Sequence, residues 1–419
     1  MLNVGQTIKA LEKDFSGAAA AIEKAELLVF SYPVYTFVAP CQLHRFIELM
    51  KEAKLNLSEK FATQITTSKH FYDITAHRYI QDNCSDLGLK YIRGLSADME
   101  DLTSKKGQKE ARDFWNYVMW CMAQGISEPV TEALPEPARC PVTVPASSAE
   151  KSGDVVIVAD LREGDTQLAA MIDRFRAQLS RKTRVVNIRE YPFRGGCLGC
   201  FNCAVSGKCI YKDGFDEYLR NEIQRADSIV YAFTISDHSM GARFKMYDDR
   251  QFCNGHRTVT IGMPVGYLIS GNYSREMNLQ TIVEARAQVV SNFLAGVATD
   301  EHNTDAAIDT LCATLTYALD NRYLPPQNFY GIGGMKVFRD LIWLMQGMMK
   351  ADHKFYKKHK QYDFPQKKWY KMVAMYAVGA LLSSPKLKVK MGNAMNEGML
   401  QPYVKVLEKA KKEQQSEKK

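Results

Sequence analysis

The chain has 419 residues, 46% of them hydrophobic and 24% charged, with ten cysteines and a formal net charge of +8. That composition supports a large core in two or three domains and excludes a disordered or collagen-like chain. Residues 1–6 lack the basic start and apolar core of a secretory signal, and the apolar run at 372–382 is too short to span a bilayer. The expected setting is therefore the cytoplasm, where clustered cysteines serve metals or redox chemistry more often than disulfides.

In chain order, Leu2-Asn3-Val4 reads as the tail of a strand and residues 16–25 as an Ala-rich helix. The apolar run 26–30, ended by Pro33, reads as a strand buried on both faces, as in a parallel sheet. Residues 42–50 follow with helical spacing. A strand at 61–67, a helix at 74–87, a strand at 90–95 and an amphipathic helix at 107–122 complete the first segment. Residues 128–152 carry Pro129, Pro135, Pro137, Pro141 and Pro145 and read as an extended linker. A second α/β pattern then begins. Strands are expected at 155–159, 184–188, 228–233 and 258–263, and helices at 166–179, 215–226 and 282–294. Two runs of β-α units predict an α/β fold of two doubly wound parallel-sheet domains. The expected boundaries are 1–127, the linker 128–152, 153–322, and a helical region 323–419. That last region holds the basic charge. From Met335 onward nineteen Lys and Arg face seven Asp and Glu, about +12. It predicts weak contact with anionic surfaces and no specific nucleic-acid site. The stripe Leu341, Leu344, Met345, Met348 reads as packing, because an apolar helical face usually packs.

One stretch between those elements carries chemistry. Cys197, Cys200, Cys203 and Cys209 form a C-x2-C-x2-C-x5-C run, with Gly195, Gly196 and Gly199 to let the backbone turn tightly. Four thiols so close suit a [4Fe–4S] cluster. A four-cysteine zinc site is the rival, although structural zinc usually pairs two knuckles across a longer loop. A loop of reduced thiols without metal is the plain alternative.

The loop Ser31-Tyr32-Pro33-Val34-Tyr35-Thr36-Phe37, placed after a strand and before the helix that contains Gln42-Leu43-His44-Arg45-Phe46, resembles the flavodoxin-like NADPH-dependent FMN reductases. The cysteine run, with Gly207-Lys208-Cys209 and Lys212-Asp213, resembles the iron–sulfur flavoproteins of the same superfamily. The resemblance spans most of residues 20–300, in two copies. It implies two flavodoxin-like domains, FMN as cofactor, NAD(P)H or another electron donor, and electron transfer from flavin to cluster. It implies a flavin border at Ser31, Pro33, Val34, Tyr35, Thr36 and Phe37, and at the next strand's end, Thr67, Ser68 and Phe71, since ligands sit beyond the carboxyl ends of such strands. Tyr35 is expected to stack on the flavin; a turn aromatic packed on its own domain is the alternative. A small-molecule or protein electron carrier is the implied partner, and a homo-oligomer the implied assembly.

The departures are equally definite. Superfamily members begin with a strand and a Ser/Thr/Gly/Asn-rich loop that binds the FMN phosphate at a helix N-terminus. The first copy opens without them, so it is expected to lack its first strand; a start upstream of Met1 would supply it. The second copy has the place, 160–166, where Arg162, Gly164 and Thr166 favour a phosphate but three carboxylates oppose it. It also reads Phe233-Thr234-Ile235-Ser236-Asp237-His238-Ser239 in place of the ring loop. The residues single out no acid, base or nucleophile. The expected function is a flavin-dependent oxidoreductase of the iron–sulfur flavoprotein kind. The rival is a redox-sensing or scaffold protein that keeps the fold without flavin.

Overall fold

The computed structural model describes residues 1–130, 138–146, 151–382, 403–404 and 406–416. Pro135 and Pro137 of the linker and residues 383–402 of the basic region lie outside them. Residues 1–356 form one compact unit and 357–419 another. The first unit contains both expected sheets, so the sequence boundaries at 127, 153 and 322 all fall inside it.

In the first half, helices α1 (Val4–Leu11) and α2 (Ser16–Lys24) precede β1 (Leu27–Pro33), α3 (Cys41–Glu52), β2 (Phe61–Ser68), α4 (Asp73–Asp86), β3 (Lys90–Tyr91), β4 (Leu95–Asp98) and α5 (Lys105–Gln124). All pairings are parallel: β1 on β2, and β2 on both β3 and β4. The second half runs β5 (Ser152–Ala159), α6 (Thr166–Gln178), β6 (Arg181–Asn187), α7 (Asn202–Ser206), α8 (Phe215–Tyr218), β7 (Ser228–Thr234), α9 (Gly241–Arg250), β8 (Pro264–Ser270), α10 (Met277–Val289), β9 (Phe293–Thr299) and α11 (Thr304–Asn321). Its five strands are parallel in the order β6-β5-β7-β8-β9. That is the flavodoxin-like order 2-1-3-4-5. Val155 to Ala159 are fully buried, as a central strand covered on both faces must be.

Three expectations are corrected. Residues 4–11 are helical: Val4, Ile8 and Leu11 have one-face spacing and pack on the core. Among the described residues the first sheet therefore has four strands, with β1 at its edge. The fourth strand of the second half starts at Pro264, and residues 259–262 are turns; Asn292 holds Thr260 there. Finally, the helix read at 282–294 ends at Val289, and β9 and α11 follow.

One step along the chain carries β1 onto β7, the turn 35–38 onto 236–239, and α3 onto α9. Both turns close with the same pair of backbone bonds. Tyr35 and Val38 exchange them at 2.8 and 3.0 Å, and Ser236 and Ser239 at 3.0 and 2.7 Å. Both place two consecutive non-glycine residues at positive φ: Thr36 and Phe37, Asp237 and His238. The two helices pack on each other reciprocally. The first free N–H of α3, on Cys41, donates to Asp249 Oδ2 of α9 at 2.8 Å. That of α9, on Ala242, donates to Glu48 Oε1 of α3 at 2.8 Å. Each carboxylate satisfies an orphan donor and opposes the positive end of the other helix.

After the second sheet come α12 (Phe329–Leu344) and α13 (Lys350–Lys358). α12 lies on α10, where the lack of side chains at Gly331 and Gly334 lets the backbones approach: a Cβ on Gly331 would stand 2.6 Å from Gln288 O. The second unit contains α14 (Trp369–Leu382), whose large apolar side chains from Trp369 to Val378 are exposed. No helix among the described residues is long and apolar enough to cross a membrane.

Candidate functional site

The reciprocal packing sets the end of β1 against the cysteine loop of the other half. Lys245 of α9 is fully buried and pairs with Asp249 one turn on. Its ammonium donates to Thr36 Oγ1 at 2.6 Å and to Tyr35 O at 3.1 Å. Thr36 in turn donates to Asp249 Oδ1 at 2.6 Å. Burial pushes the Lys245 pKa down, against the pull of Asp249. Every polar atom of this knot has a partner, as a buried ion pair requires. The strained Tyr35–Phe37 turn is thus fixed by the second half of the chain.

The cysteine loop is clamped at both ends. The Arg250 guanidinium, 1% exposed, donates to Gly195 O at 2.9 Å and pairs bidentately with Asp213 at 2.7 and 2.8 Å. It also lies over the Tyr211 ring, 4.4 Å from its centroid. Burial would raise Asp213, but hydrogen bonds from Arg250, Arg194 N and Phe215 N and the Arg250 charge together outweigh it and hold the carboxyl at about 2. Arg220 donates to Gly207 O and Cys253 O, both at 2.8 Å. Between the clamps, Gly199 sits at φ 62°, and a Cβ there would stand 1.9 Å from the Tyr35 hydroxyl. At Gly196 a Cβ would stand 2.2 Å from Cys41 Sγ. Only glycine permits this contact between cysteine loop and ring loop.

The two loops enclose a cavity of about 350 Å³. Pro33, Val34, Tyr35, Thr36, Thr67, Ser68 and Phe71 line one side, and Cys197, Cys200, Cys203 and Cys209 the other. Val337, Phe338 and Leu341 of α12 close it, with Phe338 stacked on Phe71 at 4.3 Å. So α12 does more than pack. Of the residues expected to border a flavin, Ser31 lies on β1 along a separate groove. Phe37 is buried behind the turn, against Phe71 and Tyr72. Arg162, Gly164 and Thr166 are in the second half's loop and do not line this cavity.

That second loop does not suit a phosphate. Asp160 stands in it only 3% exposed, paired with Arg189 at 2.6 Å. The second half's ring-loop position is filled as well. Asp237 accepts from Tyr79 at 2.7 Å and bonds His44 Nδ1 at 2.7 Å. His238 pairs with Asp86 and Glu276, both at 3.0 Å. Burial would lower its pKa, but the two carboxylates outweigh that and hold it at about 10. Helix α4 of the first half thus packs its Tyr79 and Asp86 against the turn 236–239.

All ten cysteines are free thiols. Burial first, then neighbouring acidic groups, push Cys197 up to about 12 and Cys203 to about 11. Among the described residues no three His, Cys, Asp or Glu side chains converge as they would on a single metal ion. Four free thiols, Cys197, Cys200, Cys203 and Cys209, line the one cavity. Sequence reasoning passed over Cys253 and His256, which also line the cavity, and the clamps Arg250 and Arg220. Their partners lie far along the chain, and no local spacing marks them.

Strand order and loop placement make the chain flavodoxin-like, and it is similar to the iron–sulfur flavoproteins of the FMN reductase superfamily. An iron–sulfur flavoprotein of Clostridioides difficile is 33% identical over 54 residues, which are 13% of this chain and 24% of that protein. The match thus spans about a quarter of the curated relative. No family model matches the chain. Among solved structures, an NAD(P)H:quinone oxidoreductase from Methanothermobacter marburgensis is 14% identical with a TM-score of 0.28, covering 42% of this chain and 99% of that one. A flavodiiron core from Synechocystis is 10% identical with a TM-score of 0.27, covering 75% and 86%.

Proposed function

We propose that the chain is a flavin-dependent oxidoreductase of the iron–sulfur flavoprotein kind. The observation that carries this is the single cavity walled by the expected ring loop on one side and four free thiols on the other. In this reading Cys197, Cys200, Cys203 and Cys209 hold a [4Fe–4S] cluster, and Pro33 to Thr36 with Thr67, Ser68 and Phe71 border FMN. FMN, when bound, converts a two-electron donor such as NAD(P)H into one-electron steps. The protein's own part is positioning. Lys245 and Asp249 fix the turn, Arg250 and Arg220 fix the cysteine loop, and Phe71, Phe338 and Leu341 keep water from the cavity. The residues fit a flavin ring and a cluster. Among the described residues that line the cavity none forms a phosphate cradle.

We further read residues 1–127 and 153–322 as two copies of one domain joined by the linker 128–152. The protein would be cytoplasmic, exchange electrons with a small-molecule or protein carrier, and assemble as a homo-oligomer. The second reading, a redox-sensing or scaffold protein without flavin, is favoured by one observation: the buried Asp160 where a phosphate would sit. A visible spectrum of anaerobically purified protein separates the two. Two resolved flavin bands over a broad cluster shoulder support the first reading. A colourless protein supports the second.

A further inference from the structure

A second cavity adjoins the one between the two loops. It measures about 130 Å³ and is walled by β7, β8, α9 and α10 together with residues 251–260. The two cavities share Thr36, Phe71, Phe252, His256 and Phe338, so these side chains form the partition between them. Much of the inner lining is apolar, with Ile229, Phe244, Val265 and Val283 facing it from the sheet and its helices.

A polar set is buried in that lining. The Arg286 guanidinium of α10 pairs with Asp248 of α9 and lies over the Phe37 ring, 5.3 Å from its centroid. Burial lowers its pKa to about 10, while the neighbouring Tyr231 and Tyr247 pull the other way. One carboxylate leaves most of the guanidinium donors without an acceptor among the described residues. Tyr231 and Tyr267 add their hydroxyls to the wall, with their rings 5.1 Å apart. Asp248 is 1% exposed, and its Oδ2 accepts no hydrogen bond among the described residues, although Lys245 Nζ stands 3.7 Å away. Buried donors and acceptors left unmatched are costly. The group that answers both kinds at once is a hydroxyl, which donates and accepts. The ionic groups of the lining are already matched, Arg286 with Asp248 and Arg257 with Asp352 at 3.6 Å.

We propose that this inner cavity binds an uncharged, single-ring phenol. Size sets the first limit. A cavity of about 150 Å³ admits benzene, so one of about 130 Å³ takes a single ring and no more. Charge sets the second. With the ionic groups of the lining matched, an ion would bring an unpaired charge into a buried site. Hydrogen bonding sets the third: the ligand hydroxyl donates to Asp248 and accepts from Arg286 or a tyrosine hydroxyl. The proposal stands on the cavity and not on the flavin reading. Its bearing on that reading is position, because a ring held here is separated from the candidate flavin border by one aromatic layer, Phe71 and Phe338.

The test is calorimetric titration of the full chain with phenol, toluene and benzoate. Phenol should bind once per chain with a dissociation constant below about 1 mM. Toluene lacks the hydroxyl, and benzoate is charged and cannot donate; each should bind at least about tenfold more weakly than phenol. Ala287 lines the cavity and is 3% exposed, so Ala287→Leu fills the space and should abolish phenol binding. A thermal melt shows whether that variant is folded. Should it not fold, the milder Val265→Ile, one methylene larger in the same wall, should weaken phenol at least about threefold. The proposal is overturned if phenol gives no saturable binding, if toluene binds as tightly, or if benzoate binds more tightly. It is equally overturned if phenol binding survives in folded Ala287→Leu or is unchanged in Val265→Ile, since the ligand would then sit elsewhere. None of these failures touches the flavin reading, which the visible spectrum tests by itself.

Discussion

The two halves of this chain share one plan and differ in how far their strands are covered. The second half keeps all five strands and a fully covered face, and its strand Val155–Ala159 is wholly buried. Yet its ring-loop position is filled by Tyr79, His44 and Asp86 of the first half. The first half forms a four-stranded sheet with β1 at its edge, and its small face cluster is Ile92, Val118 and Cys121. Yet its turn at Tyr35–Phe37 borders the open cavity. The five-stranded half supplies the thiols and their clamps to this cavity, and the four-stranded half supplies the turn. The cavity is therefore built from both halves, beside the junction of α3 and α9.

The most disruptive way to break this arrangement is at the junction. Asp249→Ala leaves the buried Lys245 with only its longer contact to Asp248, 3.7 Å away, and frees the turn at Thr36. It should cost about 3–5 kcal/mol in denaturant unfolding. The reciprocal Glu48→Ala acts at a side chain 18% exposed and should cost about 1 kcal/mol or less. Equal losses would mean that the halves lean on each other symmetrically, against the account.

The difference in coverage is sharpened by two equivalent valines. Val230→Ala should cost about 2 kcal/mol, since a fully buried side chain loses its packing. Val29→Ala should stay within about 0.5 kcal/mol, as expected of an exposed position. Thermal or urea melts of the pair decide it.

A smaller effect comes from the filled ring-loop position. His238 titrates at about 10 when folded, against an ordinary 6.5. A raised value means that its stabilisation is complete below about 6.5 and fades as pH rises through about 10. Burial would raise Asp86, but His238 and Lys51 hold it at about 2 against an ordinary 3.8. Its share is complete above about 3.8 and is lost as pH falls through about 2. Stability at this position should therefore be flat between about 3.8 and 6.5 and decline on the alkaline side. His238→Gln should remove the alkaline decline; a melt series that keeps it would contradict the assignment.

The smallest effect concerns the basic region. With about +12 from Met335 onward, weak liposome binding should disappear when salt shortens the screening length from roughly 10 Å at 0.1 M to roughly 3 Å at 1 M. Co-sedimentation that ignores salt would point instead to the exposed apolar side of α14.

Much of this was legible locally. The apolar runs that became β1, β2, β5 and β7 are short and bounded by turn residues, and the cysteine spacing is visible without any structure. What was not legible depends on distant partners or on competing local signals. Val4, Ile8 and Leu11 carry a helical period, but a complete sheet would make Leu2-Asn3-Val4 a strand. Thr258 to Met263 alternates like a strand, yet Asn292 holds Thr260 in a turn. The strand Phe293–Thr299 contains Gly296 and follows a helix closely, so the helix was read through it. Lys245, Asp249 and Arg250 look like an ordinary charged helix face. Only the reciprocal packing of α3 and α9 turns them into the buried frame of the site.

The most direct test of the junction site is a count of iron, acid-labile sulfide and flavin per chain after anaerobic purification, for the native protein and for Cys200→Ser. The account predicts about four iron and four sulfide with bound flavin in the native protein. In the variant most of the iron and sulfide should be lost while the melting temperature is kept. Stoichiometric zinc without sulfide, or flavin with no iron, would contradict it.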